Sequence, residues 1–161
     1  MSSEVKIVPA KEEYLEAAGD IAIKAWTPIR EVFRRELGDE IYEANFTNWQ
    51  EAKRKGVMSQ LMEGRGFIAL VDGKVVGFVS YRINEHTKTG EICGNAVDPS
   101  ARGMGIGGKM YNFVMEKMRG EGMLYACVTT GLDDGHAPAR RAYEKVGFEK
   151  NLPSLTYFKK L

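Results

Sequence analysis

The stretch from Glu91 to Arg119 constrains this chain more than any other. It opens with a strand-like run, Glu91-Ile92-Cys93-Gly94-Asn95-Ala96-Val97, and passes through the polar turn Asp98-Pro99-Ser100-Ala101. It then enters a glycine-rich segment, Arg102-Gly103-Met104-Gly105-Ile106-Gly107-Gly108. Beyond it, Ile106, Met110, Phe113, Val114 and Met118 fall at the spacing of one helical face, which predicts a helix to about Gly120. A strand, a glycine loop and a helix in that order make an anion site. The first helical N–H groups lack partners within the helix and carry the positive end of its dipole, and glycines let a ligand approach them. Arg102 adds a forked, permanently charged set of donors at the mouth of the turn. The chain is therefore expected to bind a phosphate-bearing ligand here.

Spacing narrows the choice of ligand. Gly103, Gly105 and Gly108 match the dinucleotide fingerprint G-x-G-x-x-G. However, five residues, Pro99 among them, separate the strand from the first glycine, and the motif arrives at residue 103 of 161. Too little chain follows for the later units of a doubly wound sheet, and the segments before it read as hairpin-connected strands. The run Arg102-Gly103-Met104-Gly105-Ile106-Gly107, preceded by Val97-Asp98-Pro99, instead resembles the pyrophosphate signature Q/R-x-x-G-x-G/A of the GCN5-related N-acetyltransferase (GNAT) family. A second block, Ala139 to Phe148, resembles the late helix of that family, with its Tyr at 143 and its Gly-Phe ending at 147 and 148.

The rest of the chain suits that resemblance. Val5 to Val8 reads as a first strand, and Lys11 to Ala25 as a helix with Tyr14, Leu15, Ala18 and Ala22 on one face. Thr27-Pro28 has the form of a cap and first position opening a second helix, which ends near Gly38. A third helical stretch runs from Asp39 through Met62, with an interruption expected at Gly56. Lys53-Arg54-Lys55 reads as a solvated face. Asp72-Gly73 between Phe67–Val71 and Val75–Tyr81 is a hairpin signal. Gly90 to Val97 makes a third consecutive antiparallel strand, Met123 to Thr130 a fourth of this series, and Ser154 to Lys159 a last one. The resemblance implies an α/β (α+β) acyl-CoA N-acyltransferase fold, one domain over residues 1–161, with a mixed sheet of six to seven strands flanked by helices.

Composition excludes several classes. Apolar content of 43% and charged content of 28% are those of a globular domain with a real core. A net charge of +1 gives no electrostatic case for nucleic acid or an anionic membrane. No apolar run reaches the roughly 18 residues of a membrane span, and the N-terminus has no signal-peptide core. Cys93 and Cys127 form no motif and read as small buried hydrophobes, and two histidines make a metal site unexpected. A cytoplasmic monomer or homodimer is expected.

The resemblance assigns the sites. Gly94, inside a strand, marks a bulge or close approach. The family resemblance implies that this strand splays from its neighbour and that the pantetheine arm of acetyl-CoA lies in the gap. Asn95, Ala96 and Val97 would then touch the cofactor, with the Val97 N–H near the thioester carbonyl. Arg102, Gly103, Met104, Gly105, Ile106 and Gly107 would hold its diphosphate. His136 stands seven residues before Tyr143, where the family often has an Asn bonded to pantetheine, and can supply a hydrogen bond in its place. Periodicity makes Tyr143 core, with Ala139, Ala142 and Val146, while the resemblance adds contact with the cofactor and the role of proton donor to the departing thiolate. Glu91 reads locally as a strand-end carboxylate, but its place six residues before Val97 matches the catalytic glutamate of some histone-type members. Trp26, Phe33 and Tyr81 are candidates for lining the acceptor pocket, and Glu31, Glu36, Asp39, Glu40 and Glu43 give that region an acidic character. The implied reaction is direct attack of a primary amine, on a small molecule or peptide, upon acetyl-CoA in a ternary complex, without a metal. A CoA-binding regulatory or sensor module lacking transferase activity is the alternative.

Overall fold

The computed structural model describes residues 3–161. Its elements follow in the order β1 (Val5–Pro9), α1 (Glu12–Phe46), α2 (Trp49–Met62), β2 (Gly66–Val71), β3 (Lys74–Asn84), β4 (Thr89–Val97), α3 (Ile106–Gly120), β5 (Tyr125–Val128) and α4 (Ala137–Lys145). The strands lie in that same order in one sheet, antiparallel except for the parallel β4–β5 pair. The β2–β3 connection is the Asp72-Gly73 turn, both residues at positive φ, as a two-residue hairpin of that type requires.

Strand alternation sends side chains to two separate cores. Ile68, Phe78 and Ala96 face Leu15, Ala18, Ile21 and Ala22 of α1 and Val57 and Leu61 of α2. Phe67, Ala69, Val79, Tyr81 and Ile92 face Ile106, Met110, Val114 and Met118 of α3. Helices thus cover both faces of the sheet, and the glycine loop emerges at the end of β4, where α3 begins.

Three expectations need correction. Thr27-Pro28 does not open a new helix: α1 continues through Pro28 to a kink at Gly38 (φ 76°). The reason is the phase of burial, since Leu15, Ala18, Ala22 and Ile29 stay on one face across the proline, and packing outweighs the missing N–H. Thr27 donates its hydroxyl back to the Ile23 carbonyl at 2.8 Å instead of capping. The break expected near Gly38 is present as non-helical backbone, but the helical stretch that begins at Asp39 ends at Phe46 instead of running to Met62: α2 begins only after Asn48, whose φ of 57° breaks the chain, and Gly56 interrupts nothing. The last strand does not form: residues 148–161 have no regular structure, Leu155 and Tyr157 are exposed, and the described sheet has five strands rather than six to seven. A strand exists only through its ladder, and this segment has no partner strand.

Candidate acetyl-coenzyme A site

The site begins with a local irregularity of β4. In the β3–β4 ladder Val79 faces Asn95 and Tyr81 faces Ile92, so Cys93 and Gly94 together oppose the single residue Ser80. This is the bulge expected at Gly94. Gly94 turns its N–H away to Gln60 Oε1 on α2 at 3.1 Å, and its carbonyl accepts the Ser80 hydroxyl at 3.4 Å. On the other edge β4 pairs with β5 only from Thr89 to Ile92, which leaves Cys93 to Val97 open on that side. The sheet therefore splits between β4 and β5, and a cavity of about 720 Å³ opens there.

At one end of the cavity lies the start of α3. Gly103 and Gly105 have positive φ (85° and 71°), and no side chain caps the helix at Gly105. Gly105 to Gly108 line the cavity, which brings the first N–H groups of α3 to its mouth. Gly107 and Gly108 leave those groups uncovered, and the exposed Arg102 stands beside them. Asn95, Ala96, Val97, Arg102, Gly103, Gly105, Ile106, Gly107, His136 and Tyr143 all line the cavity. Two of the expected residues differ in part: Met104 points outward and is 42% exposed, outside the lining, and Ile106 is fully buried, so only its backbone can meet a ligand.

The inner end carries a polar network that the sequence reading did not anticipate. The Asn95 amide donates to the Tyr143 oxygen at 3.0 Å and to the Cys93 carbonyl at 3.0 Å, while its carbonyl oxygen accepts the Tyr111 hydroxyl at 2.8 Å. Asn95 supplies the proton of the first bond, and the Tyr143 O–H has only a long contact of its own, 3.4 Å to Asn95 Oδ1, whose stronger donor is Tyr111. Burial pushes the Tyr143 phenol above its ordinary range, and hydrogen bonds with Asn95 and Tyr111 pull it partly back. Burial, and then Tyr143, drive the Tyr111 phenol well up. Both phenols hold their protons at neutral pH. Tyr111 was legible only as a polar-tipped ring on the apolar face of α3.

His136 sits at the N-terminus of α4, its Nδ1 2.6 Å from Asp133 Oδ2, which orients the ring and leaves Nε2 for another partner. Glu91 lies outside the cavity lining, its carboxylate held 2.5 Å from Arg82 Nε, though it shares a strand face with Cys93, which does line it. Trp26 lines the cavity on the α1 side. Phe33 packs near Phe46 and His136, and Tyr81 is turned to α3, where it donates to Glu121 at 2.9 Å. Burial and that carboxylate push the Tyr81 phenol up to about 12. Cys127 is exposed rather than buried, because the outer edge of β5 is uncovered, and Cys93 is half-buried. Among the described residues no cluster of metal-ligating side chains forms, and no helix is long and apolar enough to cross a membrane.

A split mixed sheet, with a glycine-rich helix start at the mouth of the split and a buried tyrosine at its floor, defines the acyl-CoA N-acyltransferase class of fold. The chain belongs to the acetyltransferase (GNAT) family, whose model matches residues 26–148. A mycothiol acetyltransferase from Thermomonospora curvata is 31% identical over 91 residues, which are 56% of this chain and 30% of that protein. The aligned region thus spans under a third of that relative. Among solved structures, a PaiA N-acetyltransferase from Thermoplasma acidophilum in complex with coenzyme A superposes with a TM-score of 0.69 at 16% identity, covering 91% of this chain and 90% of that one. The ribosomal-protein-S18-alanine N-acetyltransferase from Escherichia coli gives 0.66 at 18% identity, over 92% and 80%. These likenesses concern the fold.

Proposed function

We propose that the chain is an acetyl-CoA-dependent N-acetyltransferase acting on a primary amine of a small molecule or peptide in the cytoplasm. The observation that carries this reading is the uncapped start of α3, beside Arg102, opening onto the gap between β4 and β5. That arrangement suits a diphosphate at the mouth and an extended arm hydrogen-bonded along Asn95 to Val97, with His136 Nε2 as a further contact.

An alkyl ammonium like that of Lys, with a pKa of about 10.4, must lose its proton before it attacks. Glu91 is assigned that task, and since its carboxylate stands outside the lining the proton passes through water. The amine nitrogen bonds to the thioester carbon, the developing oxyanion takes the Val97 N–H, and the carbon–sulfur bond breaks. Tyr143 gives its hydroxyl proton, held only at 3.4 Å from Asn95 Oδ1, to the leaving thiolate. Holding donor and acceptor together supplies much of the acceleration.

Thermal melting tests the ligand. Acetyl-CoA at 100-fold its Kd adds about 2.7 kcal/mol to the folded state, whereas NADH and ATP should add far less. Free-thiol release over an amine library then separates an enzyme from a CoA-binding sensor, which would bind and not turn over. Equal stabilisation by NADH would overturn the assignment.

A further inference from the structure

Beside the α1 edge of the cavity, just outside its lining, two cations stand where α1 and α2 meet, and among the described residues neither has a counter-ion. Trp26 and Arg30 stand one turn apart on α1, Trp49 and Lys53 one turn apart on α2, and the two pairs meet. The Arg30 guanidinium lies 4.7 Å from the Phe46 ring centroid, 5.3 Å from that of Phe33 and 5.5 Å from that of Trp49. The Lys53 ammonium lies 3.4 Å from the Trp26 centroid. Lys53 is therefore not part of a solvated basic face, and Arg54 is not either, since it bridges to Asp20 on α1 at 2.6 Å.

Several carboxylates are close in sequence but engaged elsewhere: Asp39 and Glu43 with Arg34, Glu36 with Arg35, Glu40 with Lys160. Arg30 Nε is buried with no hydrogen-bond partner. Burial first, and then Arg30, lower the Lys53 ammonium to about 8, and among the described residues no carboxylate offsets this. Aromatic faces ease the burial of one cation but do not remove the repulsion between two, nor satisfy an unbonded donor. An anion between them would offset that repulsion and meet the terminal guanidinium nitrogens, which have no hydrogen-bond partner among the described residues. Trp26 links the pair to the cavity, which its ring lines with Ala25 and Ile29. Gln60, bonded to the β4 bulge, lies two turns along α2 from Lys53, about 10 Å at the helical rise.

We infer that the acceptor is an amino carboxylate, its amine at the β4 bulge and its carboxylate several bonds away, held between the terminal nitrogens of the Arg30 guanidinium and Lys53 Nζ. The amine end rests on the acetyl-transfer reading; the carboxylate end rests on the cation pair alone. The probes are ω-aminohexanoate, its carboxamide and the α,ω-diamine of the same length, which differ only at the far end. Trp26 and Trp49, the two tryptophans of the chain, both border the cation pair, so their emission reports occupancy without turnover. The carboxylate should exceed the amide and the diamine in kcat/KM by about tenfold or more, the scale of a charge-assisted bond. It alone should give a saturable change in emission. Lys53→Met, which keeps the stem, should abolish the emission change and the preference, and Lys53→Arg should restore much of both. Saturable binding with no transfer to any amine would overturn the acetyl-transfer reading and leave the anion site standing. Transfer without carboxylate preference would overturn the anion site and leave the reading standing, as would a preference that survives both Lys53→Met and Arg30→Gln.

Discussion

Tyr143 is placed so that one hydroxyl accepts from Asn95 and, in the proposed reaction, donates to the leaving thiolate. Its ring is packed 4.9 Å from that of Tyr111, while its proton has only the long 3.4 Å contact with Asn95 Oδ1. Tyr143→Phe should therefore cost little stability, about 0.5–1.5 kcal/mol for one hydrogen bond. It should lower kcat on the order of 10²-fold with acetyl-CoA affinity near wild type, measured under conditions limited by chemistry. An unchanged kcat would leave the ring as packing only. Glu91→Gln should reduce kcat/KM most at neutral pH and recover partly at high pH, where more acceptor is already neutral; a pH–rate profile like that of the wild type would return Glu91 to its ion pair with Arg82. Lys53 gives a stability prediction. Its folded pKa, about 8, lies below its unfolded value of roughly 10.4, so between those limits the unfolded chain binds more protons and stability rises with pH. Tyr81, Tyr111 and Tyr143, all raised, act oppositely only above the ordinary phenol range, near pH ~10. Lys53→Met should thus raise the Tm at pH 7 and flatten the rise between pH 8 and 10 in a series of thermal melts.

At the scale of elements, the start of α3 and the bulge of β4 do complementary work. The helix supplies uncovered N–H groups and the bulge redirects the strand so that Asn95 reaches both tyrosines. Gly105 joins them, and its φ of 71° is one that a side chain tolerates poorly. Gly105→Asp adds that strain and a negative charge at the proposed diphosphate site. It should abolish the acetyl-CoA shift in Tm while the variant remains folded by circular dichroism. Retained affinity in a folded variant would mean that the phosphate site lies elsewhere. The same reasoning explains why α1 tolerates Pro28 yet kinks at Gly38: burial of Ile29 carries the helix past the proline, whereas Gly38 is exposed and adopts a non-helical conformation that no packing opposes.

For the molecule as a whole, the two cores on opposite faces of the sheet account for the fold, and the tail beyond Phe148 contributes to neither. Leu152, Leu155 and Tyr157 are 99%, 72% and 87% exposed, and the Lys160–Glu40 pair is a surface ion pair. Removing residues 151–161 should change stability by no more than about 0.5 kcal/mol in denaturant unfolding, and a larger loss would show that the tail packs against a surface. Much of this architecture was legible along the chain. The Asp72-Gly73 turn, the bulge at Gly94, the glycine-rich start of α3 and its apolar face are all local signals, because turn chemistry and periodicity act over a few residues. The course of α1 was not, since Thr27-Pro28 has the local form of a helix start and only the burial of Ile29 against the sheet overrides it. Nor was the absent last strand, because alternation specifies a face and not the partner that a ladder needs. The site divides the same way. Sequence by itself determined the glycine-rich start of α3, whose proposed anion binding rests on backbone N–H groups exposed by glycines. Only the tertiary structure decided which side chains meet at the floor of the cavity, and that Lys53, read as one charge in a solvated run, packs beneath Trp26 beside Arg30. Such encounters join residues far apart in the chain, and the spacing of neither partner records them.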